Sequence, residues 1–194
     1  MHPILRVHSA GEEQGLLSVF PPFHLPPSVS AGTGFAKSSF PSARGREAEQ
    51  HLAMGPQALQ NLREMMKFLV ETRGFDRVME KVNILSTSPG KVVCEMKVEE
   101  QHTNRMGTLH GGLTATLVDV VSTVALMNTE SGKPGVSVDM NITYLSPAKI
   151  GEEILIAAHI LKQGKTLAFA SVDLTNKTTG KLVAQGRHTK HLGS

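Results

Sequence analysis

The stretch that decides the fold is "HTNRMGTLHGGLTATLVDVVSTVALM", His102 to Met127. After Gly111 it is apolar on all sides for about four turns, so it reads as a helix buried over most of its surface. A single carboxylate, Asp119, stands in it between Val118 and Val120. An ionised carboxylate in apolar surroundings is costly unless paired or hydrogen-bonded, so such a group is either compensated or used. The run Leu113 to Met127 is shorter than the roughly 20 residues a membrane helix needs, and it carries Asp119 and several hydroxyls, so no membrane span is expected.

On the N-terminal side, "PQALQNLREMMKFLVET" places Leu59, Leu62, Met66 and Leu69 at helical spacing behind Pro56, which suits a first turn. This predicts a short amphipathic helix starting there. "EKVNILSTS", the turn "SPGK" and "VVCEMKVEE" predict a β-hairpin. On the C-terminal side follow four strand-like runs, "VSVDMNITYL", "EEILIAAHIL", "TLAFASVDLTN" and "KLVAQGRHTKH". They are joined by "SPAKIG", "KQGK" and "NKTTGK", short and Gly- or Pro-bearing as antiparallel hairpins prefer. The order α-β-β-α-β-β-β-β has one economical burial solution, an α+β fold whose antiparallel sheet curls around the long central helix.

A chain of 194 residues suits one domain with an appendage. Residues 1–53 hold six of the ten prolines, and four acidic residues there balance four basic ones. Such a composition forms no packed core, so residues 1–54 are expected to be a disordered extension ahead of a domain over 55–194. A mitochondrial presequence is the functional alternative, against which Glu12 and Glu13 speak; Met54 would make a plausible internal start. With 40% hydrophobic and 19% charged residues the composition is globular. A net charge of +3 suits an anionic small molecule and falls short of a nucleic-acid footprint. The lone Cys94 rules out an intrachain disulfide, fits a reducing compartment and reads as structural.

Gly111 and Gly112 open the central helix, where backbone N–H groups lack intrahelical partners and lie at the positive end of the dipole. That pair fits a donor site for a substrate oxygen, and equally a tight turn. Asp119 fits a base, with a hydrogen-bonded structural carboxylate as the alternative. His110 fits a general base or a hydrogen-bonded positioner. Lys149, Lys162 and Lys165 put positive charge at turns, where solvated lysines are also ordinary. His188 and His191 form an H-x-x-H pair with no carboxylate or cysteine nearby, so no metal is expected.

"HTNRMGTLHGGLTATLVD", "PGVSVDMNITYLSPAK" and "KQGKTLAFASVDLTNKTTGKLVAQGRHTKHLG" together resemble the hotdog-fold acyl-CoA thioesterases, over about residues 56–194. The resemblance implies hydrolysis of medium- to long-chain acyl-CoA to free fatty acid and CoA, by water attack without a covalent intermediate. It gives the Gly111 N–H and the Asn104 side chain to the thioester carbonyl. Asp119 becomes the base or water-orienting residue, assisted by Ser137, with His110 in support. CoA contacts are implied for Ser137, Asp139, Tyr144, Ser146 and Lys149. A second set is Lys162, Gly164, Lys165 and Thr166. No cofactor is expected, CoA being part of the substrate. Cytoplasmic or mitochondrial location, and not secretion, is expected, along with a lipid-transfer-type protein partner.

Gly111 and Asp119 are eight residues apart, about 12 Å along a helix. One carbonyl carbon cannot lie roughly 3 Å from the first and beside a water held by the second, so the site must combine two chains with antiparallel helices. A dimer is the smallest unit; the resemblance implies pairing of dimers into tetramers. Two alternatives remain. Hotdog dehydratases use a His with a carboxylate, whereas the Ser and Asn set here favours hydrolysis. The other is a non-catalytic acyl-CoA-binding regulatory module.

Overall fold

The computed structural model describes the backbone of residues 43–193 and the side chains of 57–193; residues 1–42 of the expected extension lie outside the described residues. Helix α1 runs Ala43–Glu71, so it begins 13 residues before Pro56. A helix carries a proline past its first turn when the one lost hydrogen bond is offset by the turns on either side. The apolar spacing nevertheless identifies its buried face, since Leu62 and Met66 are buried with Leu59 and Leu69 packed beside them. Arg63 donates from Nη2 to the Ile84 carbonyl at 2.9 Å and ties the helix to the first strand.

The described residues form six strands, β1 (Asn83–Ser88), β2 (Lys91–Lys97), β3 (Val136–Tyr144), β4 (Glu153–Gln163), β5 (Leu167–Asn176) and β6 (Leu182–His191). Helix α2, Gly111–Met127, lies against the sheet. All strand pairs are antiparallel, in the order β1-β2-β4-β5-β6-β3. Three of the expected hairpins form, at β1–β2, β4–β5 and β5–β6. The segment "SPAKIG" is instead a crossing: β3 pairs with β6 at one edge, and β4 pairs with β2. Pairing β4 onto β2 lets one continuous sheet cover α2, which a simple meander of the four C-terminal strands would leave open on the β2 side.

Alternation sets the two faces of the sheet. Ile154, Ile156 and Ala158 on β4 and Ala170, Val172 and Leu174 on β5 point inward with Val92, Cys94 and Met96 on β2. They meet Leu117, Val118, Val121, Val124 and Ala125 of α2. Burial pushes the Cys94 thiol up to about 12. Strand β3 differs, with eight of its nine residues exposed.

Helix α2 approaches the sheet tightly at Gly186, where an added Cβ would stand 2.5 Å and 2.7 Å from the two γ-methyls of Val118. Both atoms belong to a fully buried, β-branched side chain that cannot swing away. Gly186→Ala is therefore expected to cost about 1–3 kcal/mol through overpacking and to lower Tm by several degrees. Adding Val118→Ala should recover part of that loss, a coupling that thermal melts of the three variants measure. Equal melting of Gly186→Ala and wild type would rule out the close contact.

Candidate active site

The entry to α2 is built by local hydrogen bonds. A 3-10 turn, Glu100–His102, is closed by the buried His102, whose Nδ1 accepts from the Glu99 N–H at 3.0 Å. The loop that follows is pinned by Asn104: its Oδ1 accepts from the Met106 N–H at 2.9 Å and its Nδ2 donates to Thr108 Oγ1 at 3.0 Å. An amide nitrogen carries two protons, so a second Asn104 N–H remains for a ligand.

His110 is the N-cap of α2, and its Nδ1 accepts from the Gly112 N–H at 2.9 Å. The expectation that both glycine N–H groups are free is thus corrected: the cap takes that of Gly112. Gly111, the first helical residue, keeps an N–H without an intrahelical partner at the positive end of the dipole. The Tyr144 hydroxyl donates to the Gly111 carbonyl at 3.1 Å, and the Tyr144 ring comes within 3.5 Å of where a Cβ on Gly111 would be. Beside this entry lies a cavity of about 460 Å³ lined by Phe75, Val78, His102, His110, Gly112 and Leu113.

Two turns further along α2 is Asp119. Its surroundings are less apolar than the sequence suggests, because the side chain is 44% exposed and faces polar groups of β3 and β6. Ser137 Oγ stands 3.5 Å from Asp119 Oδ1 and 3.0 Å from His188 Nε2. The other ring nitrogen, Nδ1, lies 2.7 Å from Ser122 Oγ, which donates to the Asp119 carbonyl. Ser122 has one proton and spends it on that carbonyl. His188 Nδ1 therefore donates to Ser122, and Nε2 accepts from Ser137. Burial, and next the neighbouring Lys190, hold the His188 pKa below the ordinary histidine value, against the opposing pull of Asp119 and Asp139, so the ring is neutral at neutral pH. Acid pH protonates the unfolded chain's histidine first, so this group withdraws stability as pH falls below about 6.5.

Lys190 is also buried, with Nζ 3.7 Å from Asp119 Oδ1 and hydrogen-bonded to Thr123 Oγ1. Neither Lys190 nor the Ser122–His188 link was singled out from sequence as part of a site. The signal lay in strand alternation, since Ala184, Gly186, His188 and Lys190 share the inward face of β6, two of them polar. The same alternation sends His191 outward, so His188 and His191 cannot converge on one ion.

The remaining expected contacts divide into two groups. Ser146 Oγ donates to the Leu182 carbonyl, and Lys149 pairs with Thr108, both near the start of α2. Lys162 lies at the end of strand β4, paired with Phe169, and Gly164, Lys165 and Thr166 form the β4–β5 turn, which touches the other end: the Leu192 N–H donates to the Thr166 carbonyl, and Leu192 packs on Leu126. Asp139 is exposed on β3 opposite Thr189. Seventeen residues of helix, about 25 Å, separate the two lysine groups within one chain. The structure thus joins Asp119 with Ser137, and Gly111 with Tyr144, but it leaves these two pairs apart.

A six-stranded antiparallel sheet wrapped on one long helix is the architecture of the hotdog class. The Thioesterase superfamily model matches residues 106–183. Acyl-coenzyme A thioesterase 13 of Mus musculus is 78% identical over 135 residues, covering 70% of this chain and 96% of that protein. Zebra fish thioesterase superfamily member 2 superposes with a TM-score of 0.69 at 69% identity, covering 70% of this chain and 98% of that one. A hypothetical thioesterase from Streptococcus pneumoniae, solved with coenzyme A, has a TM-score of 0.56 at 30% identity, covering 59% of this chain and 88% of the other. The chain belongs to the thioesterase superfamily.

Proposed function

We propose that this protein hydrolyses acyl-CoA thioesters to CoA and free fatty acid, in a site shared by two copies of the chain. The single observation that carries the two-chain reading is that Gly111 and Asp119 sit in one continuous helix, about 12 Å apart. Antiparallel packing of two α2 helices would bring the Gly111 of one chain to the Asp119 of the other. It would also bring Lys149 of one chain toward the end of β4 and the β4–β5 turn of its partner, Lys162 to Thr166, supplying positive charge from both for the CoA phosphates. Strand β3 supports this reading, because an edge strand exposed on both faces is a ready surface for a second copy. The mouse relative's name and the CoA-bound pneumococcal structure support the substrate class.

In this reading the thioester carbonyl accepts from the Gly111 N–H and from the second Asn104 N–H, which hold the oxyanion as it develops. Asp119 takes a proton from water while the water oxygen bonds to the carbonyl carbon. Collapse of the tetrahedral intermediate breaks the C–S bond, and the proton passes to the departing thiolate, leaving CoA and a carboxylic acid. His110 serves as the cap that fixes the glycines, and not as the base. The cavity beside Gly112, lined by Phe75, Val78 and Leu113 together with the charged Arg77, Glu80 and Lys81, would take the part of the acyl chain next to the thioester.

Thiol release from the full chain, measured with acyl-CoA from acetyl to palmitoyl, tests the activity. The expected result is turnover with kcat/KM rising with chain length until the cavity is filled. Binding of every chain length without thiol release would instead favour the non-catalytic module.

A further inference from the structure

Lys190 is a buried lysine beside Asp119 that the hydrolysis itself does not use. Removing an ammonium from water is unfavourable, and a methionine of similar length would fill the space without that cost. The chain keeps the charge there. Its backbone sits in register with Ser137 across β3–β6, and its Cβ would lie 3.3 Å from a Cβ on Gly135, whose φ of 63° turns the chain into β3. The ammonium bonds the Thr123 hydroxyl, which donates to the Asp119 carbonyl at 2.8 Å. Lys190 therefore touches the strand that carries Ser137 and the helix that carries Asp119.

Among the described residues, Asp119 lacks a firm donor of its own. Ser137 has one proton, and its 3.0 Å contact with His188 outcompetes the 3.5 Å contact with Asp119. His188 is neutral and 3.8 Å away. Lys190, at 3.7 Å, is the cation left to fix the carboxylate. The geometry points to Lys190 as a positioning residue, whose ammonium holds the Asp119 carboxylate on the β3–β6 side of α2, toward Ser137. This rests on the reading of Asp119 as the group that activates water.

Among the described residues, the groups facing this pair are few. Strand β6 supplies His188 and Lys190, β3 supplies Asp139 from its outer face, β5 presents Ala168, Ala170 and Val172, and α2 has no other charged residue. Burial pulls the Lys190 pKa below the ordinary lysine value of 10.5, partly offset by Asp119. The ammonium is thus lost at a lower pH than that of a solvated lysine, and with it the hold on Asp119.

Four proteins test the assignment: wild type, Lys190→Met, Lys190→Arg and Asp119→Asn. Wild type should show kcat falling on an alkaline limb below pH 10.5, after subtraction of spontaneous thioester hydrolysis. Lys190→Met should keep KM within about twofold and an undiminished Tm while kcat drops about 10-fold or more. Lys190→Arg, charged throughout, should retain more kcat than Met and lose the alkaline limb. A flat wild-type profile overturns the assignment without any variant. So does Lys190→Met with normal kcat beside an inactive Asp119→Asn. An active Asp119→Asn overturns the reading of Asp119 itself, a separate failure.

Discussion

Asp119→Asn is expected to fold as the wild-type chain does and to turn over acyl-CoA at least about 10²-fold more slowly, a loss of about 2.7 kcal/mol of transition-state stabilisation. The amide has the shape of the carboxylate and can still meet Ser137 and Lys190. Neutralising Asp119 leaves the buried Lys190 ammonium with the Thr123 hydroxyl and a neutral amide as partners, so the variant should melt somewhat below wild type while remaining folded at the assay temperature. What it lacks is the lone pair that accepts a proton from water. The loss should therefore fall on kcat, with KM nearly unchanged, because Asp119 makes no contact with the ground-state thioester in the proposed pose. Single-turnover rates alongside a thermal melt make the comparison. A folded variant with near-normal kcat would remove Asp119 from the chemistry.

The second large effect is a recovery. Asn104→Ala strips one carbonyl donor and both side-chain pins of the Asn104 loop, and Asp119→Ala strips the base, so each homodimer should be close to inactive. Refolded together, half the dimers carry one chain of each kind. In such a dimer one shared site receives both lesions, and the other receives Asn104 and Asp119 intact. Activity should then return to about a quarter of wild type. A site built within one chain would always hold one lesion, and mixing would restore nothing. Subunit exchange read by mass spectrometry separates that outcome from a failure to mix.

Local periodicity made most of the fold legible. The spacing of Leu59, Leu62, Met66 and Leu69 identifies the face of α1, and the unbroken apolar run after Gly111 identifies the core helix. The start of α1 was not legible, because Pro56 looks the same at a first turn as inside a helix that tolerates it. Neither was the crossing after β3: six residues, "SPAKIG", can close a hairpin or pass to another strand, and only the need to cover α2 from the β2 side decides. The candidate site divides in the same way. His110, Gly111 and Asn104 are near neighbours in sequence, and their geometry follows from capping and turn chemistry. Lys190 and His188 reach Asp119 from 69 to 71 positions away, across a strand register that a single sequence does not supply.

The isolation of Cys94 inside the sheet gives the chain a built-in clock. With its pKa near 12, the folded protein offers almost no thiolate at pH 8, so a disulfide dye meets only CoA. Without substrate, the same dye labels only molecules whose β2 strand has opened. The rate of that labelling reports the free energy of opening from the native side, under conditions where no denaturant is present.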